Sequence, residues 1–298
     1  MHHATTFRPG DLAPRPRFDG HADGYRHVAH ISRDVGAIHT DLGTGELAPG
    51  GTIAPHVHSY EELVYVLSGH AVLTVDGEAR VIGPDEGAFV AVGSTHAWHN
   101  PGDAPCRWIE LVTPQPRPLA MPTDTFFVGE LSETPTAAPP LDVRDPRTRN
   151  MTRWSRAQMD LDVVRQTAPV DAPDISASMS SALLAYSGIA VKMLLDERHG
   201  ACLGNMFMVD YEPVVVLHPH DHTVEEAFYM LEGEVEYIAD GERYTLKPGD
   251  VAYAGVGCIH AFENTSGQRC RWLETRAPLP PLRHSYRYER DWAYLRGE

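Results

Sequence analysis

A set of four potential metal ligands occurs twice in this 298-residue chain, at a constant separation of 164 residues. The two sets are His56, His58, Glu62 and His96, and then His220, His222, Glu226 and His260. A histidine pair arises easily by chance, whereas a four-residue set repeated without net insertion or deletion does not. The repeat therefore constrains the fold more than any local propensity does. Two copies indicate a duplicated domain and not a solenoid.

The repeat extends beyond the ligands. At the same separation, Gly69 matches Gly233, and residues 106–108 match residues 270–272. A chain of this length suits about two domains of roughly 150 residues each. We predict four segments: an N-terminal domain at 1–116, a Pro-rich connector and lead-in segment at 117–185, a C-terminal domain at 186–283, and an aromatic tail at 284–298.

Composition excludes some classes of protein. The net charge of −16, from 25 basic and 41 acidic residues, disfavours binding to nucleic acid or to an anionic membrane surface, because both need Lys and Arg. No apolar run approaches the ~18 residues of a membrane span, and the first residues lack the apolar core of a signal peptide. We therefore expect a cytoplasmic protein whose four cysteines, without CxxC spacing, are buried free thiols.

Both halves of the chain have a β pattern. Short runs rich in Val, Ile, Tyr, Phe and Thr alternate with Gly, Pro and Asp-Gly turn signals. Asp76-Gly77 separates two such runs, 70–75 and 78–82, and Asp240-Gly241 separates 234–239 from 242–246. Asp-Gly between alternating runs is a strong hairpin signal. Many short strands predict an all-β sandwich or barrel in each half.

The ligand spacing fits strands that carry metal ligands. Residues i and i+2 of a strand share a face, so His56 and His58 can point at one ion. Glu62 has the same parity and begins an apolar run, and His96 follows a Gly-containing turn. The second copy repeats each feature. Three imidazoles and one carboxylate leave coordination positions open, which is typical of a catalytic site. Such donors suit Mn, Fe, Co, Ni, Cu or Zn.

These segments resemble the two signature motifs of the cupin superfamily over about 80 residues of each half. Ala91 and Gly255 stand where the family usually has Pro, and Pro84-Asp85-Glu86 stands where Pro-Gly-Asp is usual. These departures affect loops and leave every ligand position filled. The resemblance implies two tandem double-stranded β-helices of the jelly-roll type, a bicupin. It also implies one divalent transition metal (Fe, Mn, Ni, Cu or Zn) in each domain.

Strand parity proposes further residues around the centres. His218 precedes His220 by two residues and is a candidate proton relay or substrate contact. The predicted substrate pocket comprises Trp98, Phe262, Phe228, Met230, Met206 and Met208. Asn100 and Asn264 are expected to brace a turn. Glu61 and Glu225 precede the ligand carboxylates, and we expect them to face solvent or the other domain.

Three functional classes remain open from the sequence. An open metal site with an apolar pocket favours a dioxygenase that acts on a small enolisable or aromatic substrate. A metal-dependent hydrolase or lyase, similar to a bicupin aminohydrolase or decarboxylase, is the alternative, with Glu274 or Arg271 as candidate helpers. The third class is a bicupin that binds a small ligand without turnover.

The expected partners are small molecules. They are the substrate and, for the oxygenase, dioxygen; no nucleic acid or membrane partner is expected. Cupins often pair through barrel edges, so a homodimer is one state that the resemblance allows. The sequence leaves open the substrate, the native metal, the more active half and the oligomeric state.

Overall fold

The computed structural model describes residues 1–163, 184, 187–279 and 287–288. Short 3₁₀ helices occupy Pro9–Asp11, Pro16–Phe18, Arg33–Val35, Leu131–Glu133, Pro146–Thr148, Arg156–Met159 and Glu197–His199. The strands are β1 (His2–Thr6), β2 (Ala22–Ile31), β3 (Asp41–His58), β4 (Glu61–Ser68), β5 (Ala71–Val75), β6 (Glu78–Ile82), β7 (Glu86–Val90), β8 (His96–His99), β9 (Cys106–Thr113), β10 (Thr125–Phe127), β11 (Met151–Arg153), β12 (Ile189–Leu195), β13 (Asn205–Tyr211), β14 (Val215–Asp221), β15 (Glu225–Glu232), β16 (Val235–Ala239), β17 (Glu242–Leu246), β18 (Asp250–Ala254), β19 (His260–Asn264), β20 (Cys270–Ala277) and β21 (Arg287–Tyr288).

Each half of the chain forms an antiparallel barrel. In the first half the sheet order is β11-β7-β4-β9-β3-β8-β5-β6, with β2 and β10 also paired to β3. The 18-residue strand β3 pairs with β9 over its first part and with β8 over its last part. In the second half the strands divide into two sheets, β1-β18-β15-β20-β13-β12 and β17-β16-β19-β14-β21. The predicted all-β duplication, with one barrel in each half, is confirmed.

The two Asp-Gly hairpins form where the sequence predicts them. Val75 pairs with Glu78, and Ala239 pairs with Glu242, across two-residue turns. Asp76 and Gly77 have φ values of 48° and 85°, and the second turn repeats them at 48° and 88°. Positive φ at both central positions is the two-residue turn that matches strand twist, which explains the preference for Asp-Gly.

The barrels exchange their lead-in strands. β1 precedes the first barrel in sequence but pairs with β18 of the second, with Thr6 opposite Asp250. β11 precedes the second barrel but pairs with β7 of the first, with Arg153 opposite Glu86. The segment 117–185 also contributes β10 to the first barrel, where Phe127 lies opposite His56. The lead-in strands thus bind each barrel to the other.

A shared apolar core lies between the two barrels. It contains Leu63 and Tyr65 of β4 together with Tyr229 and Leu273 of the second half. Met206 and Met208 belong to this same cluster, so the prediction that they line the substrate pocket is wrong. Both faces of β13 are apolar, and the sequence therefore does not reveal which alternate residues face the barrel interior.

Glu61 and Glu225 each join one barrel to the other. The Glu225 carboxylate accepts hydrogen bonds from the backbone N–H groups of Ile38, His39 and Thr40 at 2.8–3.0 Å. Glu61 accepts from the N–H groups of 202 and 203, both at 2.8 Å. The two contacts are related by the same 164-residue separation. The sequence predicts that Glu61 and Glu225 face either solvent or the other domain, and both face the other domain.

Other expectations have mixed outcomes. Cys106, Cys258 and Cys270 are buried free thiols, whereas Cys202 is exposed. The predicted aromatic tail lies outside the described residues except for the two-residue strand β21, which pairs with β14. In the part of the chain that the structure describes, no helix is both long and apolar enough to cross a membrane.

Candidate metal centres

The second centre is built from three strands of the C-terminal barrel. His220 on β14 lies opposite His260 on β19, and His222 follows β14 directly. Glu226 on β15 lies opposite Arg276 on β20. A carboxylate oxygen of Glu226, Oε2, lies 2.7 Å from His222 Nε2 and 3.3 Å from His260 Nε2. The ligand atoms of the three histidines lie within 4.8 Å of one another.

The first centre repeats this arrangement in the N-terminal barrel. Glu62 Oε2 lies 3.3 Å from His58 Nε2 and 3.4 Å from His96 Nε2, and these three ligand atoms also lie within 4.8 Å of one another. The His56 ring lies 3.9 Å from the His96 ring, centroid to centroid. All eight predicted ligands are buried. The structure thus brings together both sets that the sequence singled out.

Backbone carbonyl groups fix how the imidazoles face. Nδ1 lies 2.8–3.3 Å from a nearby carbonyl oxygen in His56, His96, His220, His222 and His260. A carbonyl oxygen can only accept, so Nδ1 carries the proton and the Nε2 lone pair faces the centre. Burial lowers the pKa of His56 well below its usual value and that of His220 to about 3. These two rings are therefore neutral, as metal ligands must be.

The donor set fits a metal ion in both centres. The Nε2 atoms of His96 and His260 are buried without a well-directed hydrogen bond, although each lies close to a carboxylate oxygen. A nitrogen lone pair that faces a carboxylate oxygen is repelled unless a cation lies between the two atoms. Three imidazoles and one carboxylate would hold a divalent transition metal and leave positions for exogenous ligands.

The two centres differ in the space beside them. A cavity of about 60 Å³ adjoins the second centre, and Phe228 and Phe262 are among its lining residues. The cavity at the first centre is about 10 Å³ and is lined partly by Phe18 and Trp98. About 10–15 Å³ holds one water. Among the described residues, the second centre therefore has room for a small organic molecule next to its ligands, and the first has room for about one water.

Several predicted pocket residues lie elsewhere. Met230 packs in the core of the second barrel and is not among the residues that line the cavity. The His218 side chain is exposed, because a register shift between Leu217 and His220 interrupts strand parity there. His218 instead contributes its carbonyl oxygen, which accepts from His220 Nδ1. Leu217 lines the cavity in its place.

The two asparagines brace turns, as expected. Asn100 Nδ2 donates to the carbonyl groups of Leu47 and Ala104, both at 2.9 Å. Asn264 Nδ2 donates to those of Glu212 and Gln268, at 3.0 and 2.7 Å. Both contacts close the loop after the strand that begins with the last histidine ligand.

Sequence reasoning missed Arg276 and proposed Arg271 in its place. Arg271 donates to Glu232 at 2.6 Å and stacks on Trp154, outside the centre. Arg276 lines the cavity and donates to Glu226. Arg276 lies two residues after Glu274 on the same strand, so the sequence predicts that both side chains share a face. The first copy, however, has Val112 at the position that matches Arg276. Arg276 is therefore not among the residues that the two copies share.

Each centre has a second buried carboxylate in a different electrostatic setting. Glu274 accepts from Trp272 Nε1 at 3.0 Å, and burial followed by the charge of Glu226 raises its pKa well above the usual value. Glu110 accepts from Trp108 in the same way. Burial would also raise the pKa of Glu110, but His27 and Arg15, each 3.0 Å away, lower it.

Comparisons with known proteins agree with this architecture. A family model described as a cupin domain matches residues 43–112 and 207–276. The tetracenomycin polyketide synthase protein TcmJ of Streptomyces glaucescens is 37% identical over 108 residues, which are 36% of this chain and 70% of that protein. Polyketide synthase CurC of Streptomyces cyaneus is 33% identical over 93 residues, 30% of this chain and 60% of that protein.

A solved structure extends the likeness to nearly the whole chain. Salicylate 1,2-dioxygenase from Pseudoaminobacter salicylatoxidans, solved as adducts with gentisate, has a TM-score of 0.71 and 14% sequence identity. The alignment covers 97% of this chain and 85% of that one. At this identity the likeness concerns the fold alone. With the two family matches and the repeated ligand sets, it leads to one conclusion: the chain belongs to the cupin family and is a bicupin.

Proposed function

We propose that this protein is a metal-dependent dioxygenase that acts on a small aromatic or enolisable molecule at the second centre. The observation that carries the proposal is the cavity of about 60 Å³ whose lining includes His220, His260 and Glu226. Its volume is several times the ~10–15 Å³ that one water needs. A pocket of this kind, apolar with a few convergent polar groups, is the usual form of a small-molecule site.

The walls of the cavity account for substrate choice. Phe207, Phe228 and Phe262 provide aromatic faces that bind a flat apolar ring and exclude water. Arg276 and Glu274 are the ionisable groups that line the cavity beside the ligands. When bound, a redox-active metal supplies coordination positions for substrate oxygen atoms and for dioxygen. The neutral imidazoles and the Glu226 carboxylate hold that ion.

Aromatic side chains fill the corresponding space at the first centre. The rings of Phe18 and Phe127 each lie 5.3 Å from the ring of His56, centroid to centroid. The remaining cavity of about 10 Å³ accommodates about one water. We therefore assign turnover to the second centre and metal binding without turnover to the first.

The named relatives are consistent with this substrate class. Two are named as polyketide synthase proteins, and polyketones are enolisable and aromatise readily. The solved structure is named as a dioxygenase of salicylate, bound to gentisate. The first compounds to test are thus 1,3-diketones, phenols and hydroxybenzoates.

Metal content and oxygen uptake in two matched variants test the proposal. His220→Ala should lose the metal of the second centre and all oxygen uptake. His56→Ala should lose the metal of the first centre and keep uptake near that of the parent protein. Metal is measured by elemental mass spectrometry, and turnover with an oxygen electrode. Normal turnover under strict anaerobiosis would rule out a dioxygenase.

A lyase is the second candidate, because a carboxylate and an arginine both lie at the cavity. Glu274 Oε1 is 3.4 Å from Arg276 Nη2, and a decarboxylase needs a proton donor and a cation near its acidic substrate. This reaction would release CO₂ from a small carboxylic acid without net oxygen uptake. Product analysis in the anaerobic arm separates the two candidates.

A further inference from the structure

The two carboxylate oxygens of Glu226 face different partners. Oε2 faces the imidazoles, at 2.7 Å from His222 Nε2 and 3.3 Å from His260 Nε2. Oε1 accepts a hydrogen bond from Nε of Arg276, which stands directly opposite Glu226 across the β15–β20 strand pair. One oxygen is thus directed at the centre and the other is held by a guanidinium group.

Burial makes this contact a fixed part of the site. Arg276 and Glu226 are both buried, and Nη2 of Arg276 lies 3.4 Å from Glu274 Oε1. The guanidinium carbon also lies 4.6 Å from the centroid of the Phe207 ring. Arg276 is therefore held by the Glu226 carboxylate, by the side chain of Glu274 and by an aromatic face. A buried, charge-assisted pair of this kind persists because breaking it would leave a charge uncompensated.

The first centre lacks this arrangement at the same strand position. Val112 stands opposite Glu62 across the equivalent β4–β9 pair and has no polar atom to hold a carboxylate oxygen. The arginine near that centre, Arg15, bonds to Glu110 at 3.0 Å. The two centres therefore share a ligand set but differ in what restrains the ligand carboxylate.

We infer that Arg276 is a positioning residue, which withholds Glu226 Oε1 so that Oε2 alone is offered to the metal. The second centre then keeps one more position for exogenous ligands than a carboxylate binding through both oxygens would leave. The first centre differs, because Val112 stands at the position of Arg276 and cannot hold an oxygen of the Glu62 carboxylate. The inference rests on the proposed metal site and explains why the second centre is the reactive one.

Co²⁺ absorption of a protein with only the second centre loaded tests the inference. In the His56→Ala background we expect Arg276→Gln to keep one equivalent of Co²⁺. Its visible ligand-field absorption should weaken and shift towards that of His220→Ala, in which only the first centre is filled. The reason is that a released Oε1 raises the coordination number, which lowers Co²⁺ absorption. Release of Co²⁺ to a chelator should also slow several-fold.

Matched variants separate positioning from general damage. Arg271→Gln makes the same change on the same strand, away from the centre, and should leave the spectrum of the His56→Ala protein unchanged. Arg276→Lys retains the cation and should restore part of the parent absorption. If Arg276→Gln does not fold, Arg276→Met has a similar length and no polar atom to bury, and it carries the same expectation.

The other outcomes overturn the inference. An unchanged spectrum at equal Co²⁺ content would mean that Arg276 does not control how Glu226 binds. Loss of Co²⁺ from a folded variant would mean that Arg276 is needed to present the carboxylate at all. If the His56→Ala protein itself binds no Co²⁺, the proposed function fails, which is distinguishable from failure at Arg276 alone.

Discussion

A histidine in this protein is placed by its local backbone as much as by its strand. The metal-facing tautomer of five ligands is set by a carbonyl group two residues away, as in the pairs His56–Ala54 and His260–Cys258. This contact joins residues only two apart in the chain, and both copies of the domain contain it. The same side chain has a different role at His30, which lies in neither centre.

His30 is buried at the interface between the barrels. We predict that its protonation lowers the free energy of unfolding at acid pH. Its Nε2 atom lies 2.7 Å from Thr44 Oγ1, and its ring contacts Phe7 and Tyr229. Burial first, and then His27, lowers its pKa to about 4, against a small opposing effect of Asp11. Because the unfolded chain binds the proton more readily, this stability is complete above about pH 6.5 and is lost as the pH falls towards 4.

We expect His30→Gln to make the free energy of unfolding depend less on pH between about 6.5 and 4.5. Between pH 6.5 and 4.5 the parent protein should lose about 2–3 kcal/mol more unfolding free energy than the variant does. Urea unfolding at a series of pH values measures the difference. Between pH 7 and 8, where this ring is neutral in both states, the two curves should run parallel. Parallel curves throughout would contradict the assignment.

At the scale of the strand and turn, the hairpins and the motif glycines follow from backbone geometry. Gly77 and Gly69 both have positive φ, at 85° and 71°. They differ in surroundings, because a Cβ on Gly77 would meet nothing within 4 Å, whereas one on Gly69 would lie 2.2 Å from the carbonyl oxygen of Pro105. Gly77 is required only by the backbone conformation of the turn. Gly69 is required by its backbone conformation and also by the close approach of the Pro105 carbonyl group.

These surroundings predict unequal costs for the same substitution. Gly77→Ala should lower the free energy of unfolding by about 1 kcal/mol, from the positive φ alone. Gly69→Ala should lower it by about 3 kcal/mol, since overlap with the Pro105 carbonyl adds to the same backbone cost. Chemical denaturation of the two variants provides the measurement. Equal losses would mean that the loop around Pro105 relaxes freely.

For the whole molecule, the strand exchange and the paired carboxylates make the two barrels one structural unit. β1 and β11 each complete a sheet of the opposite barrel. Glu225, next to the ligand Glu226, accepts three backbone N–H groups of the first barrel, and Glu61 accepts from the second. A ligand-bearing strand of each barrel is therefore anchored in the other.

We expect Glu225→Gln to lower the unfolding free energy by on the order of 3 kcal/mol. A neutral amide has one acceptor oxygen for three backbone N–H donors, and its NH₂ group faces N–H groups that need an acceptor. Glu61→Gln should have a similar effect through the symmetric contact. Thermal unfolding of the apo protein checks both. Parent-like stability of either variant would show that water replaces the carboxylate at that contact.

The sequence by itself determined the duplication, both ligand sets and both hairpins, because these depend on residue type and short spacing, which the chain carries locally. Tertiary structure decided which face of β13 turns to the pocket, so that Met206 and Met208 pack between the barrels. A register shift moved His218 out of the site, and pairing across distant strands placed Arg276 on Glu226. Such outcomes depend on register and on contacts between residues far apart in the chain, which spacing along one strand does not specify.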